Sequence, residues 1–213
     1  MRITIFGATG GIGTAACREA AERGHEVTAV VRDAARLPAD VRERVNVVVA
    51  DVMDPAAVQS AVEGRDAVLS CLGSRGGRAA TTVLTDAATS VVKGMRAAGA
   101  RRLLTVSAAA PYPDPGDGFL GGRVFKPLVS KILERPFADL LRADDLVEKA
   151  DGIDWTLVRP PMLQNGPATG TYRLGLDLAP PKARRIRRAD VAAAMLDLAG
   201  DPTSIGHVAW VAA

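Results

Sequence analysis

The sequence predicts a single α/β domain, a doubly wound and mostly parallel sheet of about seven strands with helices on both faces. Three observations point there. The chain opens on an apolar, β-branched run, Ile3 to Phe6, with no polar alternation beyond Thr4, the pattern of a strand buried on both faces. A glycine-rich turn and an alanine-rich helical segment, Thr14 to Arg23, follow at once, and short apolar runs then alternate with helical periods to the C-terminus. Finally, 213 residues, 48% of them hydrophobic, suit one compact core spanning residues 1–213 better than two.

The first turn carries Gly7, Gly10 and Gly13, spaced G-x-x-G-x-x-G. Such a turn either simply joins a strand to a helix or cradles a phosphate. The first N–H groups of a helix lack partners and lie at the positive end of its dipole, and glycines let an anion approach them. Its place between an N-terminal strand and a helix favours a dinucleotide pyrophosphate. Gly24 closes the helix, and His25 to Val31 form a second strand ending in Arg32 and Asp33. There a carboxylate takes the 2′-OH of NAD and an arginine the 2′-phosphate of NADP. Arg32 therefore points to NADP(H) over NAD(H), while Asp33 keeps NAD in play; Arg36 is a second cation for the phosphate or a solvated arginine.

Val45 to Ala50 make a third strand, after which Asp51 either accepts from the adenine amino group or caps a turn, with Val52 against the ring. Asp54-Pro55 opens a helix. The fourth strand, Ala67 to Leu72, leads into Gly73-Ser74-Arg75-Gly76-Gly77, whose glycines suit close contact with a cofactor and whose arginine reaches a phosphate. A helix from Thr81 to Ala98, stopped by Gly99, precedes the fifth strand, Arg102 to Ser107, which places Ser107 at the substrate edge. Pro111 to Gly122, rich in proline and glycine, reads as an active-site loop. A helix from Pro136 to Ala150, a strand from Trp155 to Val158 and the run Arg159-Pro160-Pro161 come next. Strand-like pieces at Thr171 to Leu174 and Arg184 to Arg187 interrupt an irregular stretch; Asp190 opens the last helix, and Val208 to Val211 form the seventh strand. Substrate-pocket segments fall around 108–136 and 160–188, where Pro160, Pro161 and Met162 build an apolar shelf.

A net charge of +3, from 27 basic and 24 acidic residues, gives no reason to expect nucleic acid as a partner. The basic cluster Lys182, Arg184, Arg185, Arg187 and Arg188 is a solvated face or an anion site. Cys17 and Cys71 show no metal-ligand spacing and read as buried, reduced thiols. The chain begins on a strand and has no apolar run of membrane-spanning length, so a cytoplasmic protein without a membrane partner is expected.

G-A-T-G-G-I-G (Gly7 to Gly13), V-V-R-D (Val30 to Asp33), A-D-V (Ala50 to Val52), W-T-L-V-R-P (Trp155 to Pro160) and R-A-D-V-A (Arg188 to Ala192) together resemble the atypical short-chain dehydrogenase/reductases, NAD(P)H-binding and NmrA-like. V-R-D-A-A-R-L-P (Val31 to Pro38), D-A-V-L-S-C-L-G-S-R (Asp66 to Arg75), T-T-V-L (Thr81 to Leu84) and P-P-M-L-Q-N-G-P-A-T-G-T-Y (Pro160 to Tyr172) are similar to the biliverdin-IXβ and NADPH-dependent flavin reductase group within it. The resemblance implies a Rossmann fold holding NADP(H) through Gly7, Thr9, Gly10, Gly11, Ile12 and Gly13, with Arg32 and Arg36 on the 2′-phosphate and Asp51 and Val52 at the adenine. It places Leu72, Gly73, Ser74, Arg75 and Pro160 along the centre of the cofactor and Ser107 beside the nicotinamide. Ala109, Tyr112, Pro161 and Met162 fall around the substrate. A monomer or weak homo-oligomer follows from the same resemblance.

The Tyr-x-x-x-Lys acid–base pair of classical dehydrogenases is missing: Gly116 stands where Tyr112 would need its lysine, and Tyr112 reads as a surface-loop tyrosine. Without that acid, the expected acceptor is planar and conjugated, a flavin, quinone or tetrapyrrole, reduced by hydride. The alternative is an NmrA-type redox sensor that binds NADP(H) without turnover. An epimerase or dehydratase is a weaker third reading, because the chain is short for a nucleotide-sugar domain.

Overall fold

The computed structural model describes residues 1–73, 81–112 and 134–213. Ten strands and six α-helices are defined among them. They run β1 (Arg2–Phe6), α1 (Gly11–Glu22), β2 (Glu26–Val31), α2 (Ala39–Arg42), β3 (Asn46–Val49), α3 (Pro55–Val62), β4 (Ala67–Ser70), α4 (Val83–Ala98) and β5 (Arg102–Val106). After them come α5 (Glu134–Glu148), β6 (Asp154–Arg159), β7 (Met162–Gln164), β8 (Arg173–Leu176), β9 (Arg185–Arg187), α6 (Arg188–Ala199) and β10 (His207–Ala212).

The main sheet has the order β3-β2-β1-β4-β5-β6-β10-β8, with every pair parallel except β8 against β10. All seven expected strands are its parallel members, so the doubly wound Rossmann-like fold is as anticipated. Two things differ. The irregular stretch supplies an antiparallel edge strand, β8, and pairs β7 with β9 in a separate two-stranded sheet. Gly175 lets the chain fold back closely after β8: a Cβ there would lie 2.1 Å from the Leu178 carbonyl oxygen.

Three helix starts also move. Gly11 to Gly13 are already the first turn of α1 rather than a lead-in to a helix at Thr14. Helix α5 starts at Glu134, because a proline such as Pro136 is tolerated in a first turn where no N–H partner is lost. Helix α6 starts at Arg188; Asp190 lies inside its first turn and accepts from the backbone N–H groups of Thr169 and Gly170, at 2.7 and 3.2 Å.

Period-two alternation sends Ile3, Ile5, Val27, Ala29 and Val31 to one face, under α1 and α6, and Phe6, Val30 and Val68 to the other, under α3, α4 and α5. Thr4, buried on the second face, donates its hydroxyl to the Ala61 carbonyl at 2.6 Å. Helices α4 and α5 are pinned by Asp139. Its buried carboxylate accepts from the N–H groups of Leu84 and Thr85 (3.0 and 3.2 Å) and from the Thr85 hydroxyl (2.6 Å), capping α4 from a neighbouring helix. Thr82, the residue before α4, spends its hydroxyl on Asp86 instead.

Arg102 fills the opposite, N-terminal edge of the sheet. All five of its N–H groups are used: on the carbonyls of Asp154 (2.9 Å), Leu198 (2.6 Å) and Ala199 (3.4 Å) and the hydroxyls of Thr156 (2.8 Å) and Ser204 (2.6 Å). Burial pulls its pKa below the usual guanidinium value, but arginine stays charged in proteins, and the C-terminal carbonyls of α6 are a suitable counter-dipole.

Candidate functional site

Parallel strands present their carboxyl ends together, and the order reverses between β1 and β4, which is where ligands bind in open α/β sheets. The glycine turn sits at that switch point. Gly7 has φ +74°, and a Cβ on it would lie 2.5 Å from the Cys71 carbonyl oxygen; one on Gly13 would lie 2.2 Å from the Gly7 carbonyl oxygen. Strand β1, helix α1 and the end of β4 therefore meet backbone to backbone. Helix α1 starts at Gly10 with no side-chain cap, whereas Asp54 caps α3 with its own carboxylate. The first-turn amides Gly11, Ile12 and Gly13 are thus left for an anion, and a dinucleotide pyrophosphate fits such a cradle. Thr9 is half-buried within the turn, and the side chain of Ile12 is in the core.

At the end of β2, Arg32 and Arg36 are both exposed, and among the described residues no ion pair or hydrogen bond engages either guanidinium. Asp33 turns away: its carboxylate accepts from Ala35 N at 2.9 Å and caps a short 3-10 helix, Ala34–Arg36. Asp51 is exposed past β3 and accepts from Met53 N at 3.0 Å, so the turn-capping role holds. Val52 packs on the α3–α4 side of the core, as does Leu72; Gly73 is exposed after it. Ser74, Arg75 and the loop beyond Tyr112, with Arg123, Lys126 and Lys131, lie outside the described residues.

Ser107 follows β5, its backbone N–H on the Val158 carbonyl at 2.8 Å, and Ala109 N donates to the Pro160 carbonyl at 3.0 Å. These bonds carry the β5–β6 pairing past the strand ends. The Ser107 hydroxyl is buried and donates to Asp144 Oδ2 at 2.5 Å. The Tyr112 hydroxyl donates to the same oxygen at 2.6 Å. Tyr112 is therefore not the surface-loop tyrosine expected from its sequence: the ring is half-buried, with the Arg159 guanidinium carbon 3.3 Å from its centroid. Arg159, at the end of β6, lies 3.7 Å from Asp144 and 3.5 Å from Glu148, two carboxylates for one guanidinium.

Burial raises the Asp144 carboxyl above the ordinary aspartate range, although the bonds from Ser107 and Tyr112 and the charge of Arg159 pull against it. Burial and the bond to Asp144 likewise push the Tyr112 phenol up. Glu148 is raised by burial too, with Arg159 opposing. Asp144, Glu148 and Arg159 were not among the residues expected at the site. One signal was available: Asp144 lies among Leu140, Ala143 and Val147, a carboxylate on the apolar stripe of an amphipathic helix.

Around this cluster, Pro160 is buried, Pro161 is half-buried and Met162 is exposed on β7. Ala109 is a packing residue, in a small cluster with Ala179 and Trp210. In the basic stretch, Ile186 is in the core, while Arg187 and Arg188 bond to the Pro167 carbonyl (2.8 Å) and to Asn165 Oδ1 (2.6 Å). Both cysteines are free; burial pushes the Cys17 thiol up to about 12 and Cys71 upward as well. Among the described residues no His, Cys, Asp or Glu group could hold a metal ion, and no helix is long and apolar enough to cross a membrane.

Residues 7–202 match a family described as NAD(P)H-binding. The chain is 30% identical over 208 residues to the uncharacterized protein YwnB of Bacillus subtilis, covering 92% of this chain and 91% of that protein. A 3-diazoavenalumate denitrifying reductase from a Streptomyces species is 38% identical over 129 residues. That match covers 54% of this chain, and it spans only 41% of the reductase. Among solved structures, a Burkholderia pseudomallei protein named a candidate exported protein superposes with a TM-score of 0.78 at 28% identity, over 100% of both chains. A Streptococcus pneumoniae protein named a candidate NADH-flavin reductase shares the fold, with a TM-score of 0.79 at 23% identity over 100% of this chain and 99% of its own.

Proposed function

The chain belongs to the NAD(P)H-binding family, and on that premise we propose that it is an NADPH-dependent reductase of a small, planar, conjugated acceptor such as a flavin or quinone. One observation carries the reading. The carboxyl edge of one sheet carries an uncapped glycine-lined helix start, two exposed arginines and a serine hydroxyl backed by a buried carboxyl. A site that only held a dinucleotide would need the first two features and not the third. The reductase named among the relatives supports the same class.

NADPH, when bound, supplies a hydride. The chain's part is to hold and to orient. Gly7, Thr9, Gly10, Gly11, Ile12 and Gly13 would hold the pyrophosphate, Arg32 and Arg36 the 2′-phosphate, and Asp51 and Val52 the adenine. Leu72, Gly73, Ser74, Arg75 and Pro160 would serve the middle of the cofactor, and Ser107 the nicotinamide, with Tyr112, Pro161 and Met162 for the acceptor. Steady-state NADPH oxidation with FMN, FAD, quinones and biliverdin tests the assignment. Turnover with at least one is expected, whereas tight dinucleotide binding without turnover would leave the NADP(H)-binding sensor instead.

Cofactor choice has its own test. Because only NADPH carries the 2′-phosphate, Arg32→Ala removes one charge-assisted contact of about 2 kcal/mol, or roughly thirty-fold in affinity. Titration should show NADPH weakened by that factor and NADH by less than about twofold. Equal losses would remove Arg32 from the phosphate site.

A further inference from the structure

We propose that Asp144 stores the proton that completes the reduction and passes it to the acceptor through the Ser107 hydroxyl. This rests on the reductase reading above, and it deepens it by naming the proton source that the missing tyrosine–lysine pair left open. Three features of the geometry carry it. Ser107 Oγ and Tyr112 OH converge on the same carboxyl oxygen, Asp144 Oδ2, at 2.5 and 2.6 Å, so a proton there has a hydroxyl chain leading to the sheet edge. Among the described residues Asp144 and Glu148 share the guanidinium of Arg159, and a proton on Asp144 leaves that guanidinium paired with one carboxylate. Behind Asp144 lies a cavity of about 20 Å³, room for one water, bordered by Ser70, Thr105, Leu84 and Leu140.

The step balances. The acceptor gains a hydride, with its electron pair, from the nicotinamide and one proton from the chain. In the protonated form the Asp144 O–H donates to Ser107 Oγ, the reverse of the bond to the ionised carboxylate, which frees the Ser107 hydrogen for the acceptor. The Asp144 O–H bond then breaks as Ser107 Oγ takes that proton, and the Ser107 O–H bond breaks as its own proton reaches the acceptor's oxygen or ring nitrogen. Asp144 is left as a carboxylate facing Arg159 and recovers its proton from water. Such a relay suits an acceptor that builds negative charge on a heteroatom. Among the described residues the titratable or charged groups facing Asp144 are Tyr112, Glu148 and Arg159, while α4, β4 and β5 present apolar side chains and the hydroxyls of Ser70 and Thr105. Burial raises the carboxyl above the ordinary aspartate range, so a relay through it predicts that turnover falls as rising pH removes the proton.

The test compares wild type with Asp144→Asn and Ser107→Ala, using a quinone and FMN as acceptors. In the wild type, infrared spectra of the cofactor-free protein should show the carbonyl band of a buried protonated carboxylic acid, lost with rising pH in step with kcat. Asp144→Asn should lack the band, lose the alkaline limb of the pH profile and turn over roughly 10²-fold more slowly. Ser107→Ala should keep the band and slow the reaction comparably, and the double variant should be no slower than either alone. If Asp144→Asn fails to fold, the wild-type band and the Ser107→Ala profile decide. No wild-type turnover with any acceptor defeats the reductase reading and the relay together. Turnover that ignores both pH and Asp144→Asn, or a wild type without the band, defeats the relay alone.

Discussion

Gly13→Ala is expected to abolish dinucleotide binding and to lower stability by about 3 kcal/mol, as overpacking against rigid atoms does. The added Cβ would stand 2.2 Å from the Gly7 carbonyl oxygen and 2.9 Å from Ala8 Cα, all backbone. Nothing there can rotate away. Gly7 is itself packed against backbone, so closely that a Cβ added to it would lie 2.5 Å from the Cys71 carbonyl oxygen across the switch point. The neighbouring Gly11 supplies the control. A Cβ on Gly11 meets only the side chain of Arg188, at 2.5 Å, and a flexible arginine can swing aside. Gly11→Ala should therefore unfold in urea within about 0.5 kcal/mol of the wild type. Calorimetric titration with NADPH beside denaturant melts separates the two. Equal stability of both variants would show that the turn is looser than its contacts imply.

That contrast also marks how far the sequence reaches. The parallel strands were legible because burial on both faces leaves nearly continuous apolar runs such as Ile3 to Phe6, broken only by Thr4, and Ala67 to Leu69. The glycine spacing located the cradle for a similar reason: a backbone-to-backbone contact admits only one residue type. Strand β8 was harder to bound, because an edge strand of the sequence R-L-G-L has one partner and half its side chains in water.

The chemistry behind Ser107 was less legible still. Tyr112 resembled a loop residue because its local sequence is rich in proline and glycine, and its burial is imposed by Asp144, 32 positions later, and by Arg159 on another strand. Long-range polar clusters leave no periodic trace. Only the misplaced carboxylate on the apolar stripe of α5 hints at one, and the same hint attends Asp139, which serves as a helix cap. A buried acid on a helix stripe thus signals a polar partner elsewhere without saying whether that partner is structural or catalytic. What separates the two here is the sheet edge. Asp139 meets the backbone amides and one hydroxyl of the first turn of α4, whereas Asp144 meets the hydroxyls of Ser107 and Tyr112 beyond the carboxyl end of β5.

The same distinction sets the second large effect. Arg102→Met should destabilise the protein by about 3–5 kcal/mol, the range for breaking a buried charged network, while leaving NADPH affinity in the folded fraction unchanged. Arg102 donates all five of its N–H groups to neutral acceptors, and Asp154 and Asp201 act on it only through their charge. The loss therefore removes a donor from each of these five acceptors, although the Leu198 carbonyl keeps the Asp201 N–H and the Ser204 hydroxyl. Arg102→Lys would restore the charge but only three donors, so at least two acceptors remain unmet and rescue should be partial. Urea unfolding reads the loss as a lower midpoint at constant slope. Because Arg102 sits where β5 begins and Ser107 where it ends, a matching loss of cofactor affinity would mean that the two edges of the sheet are coupled. Unchanged affinity would assign the N-terminal edge to stability and the carboxyl edge to chemistry.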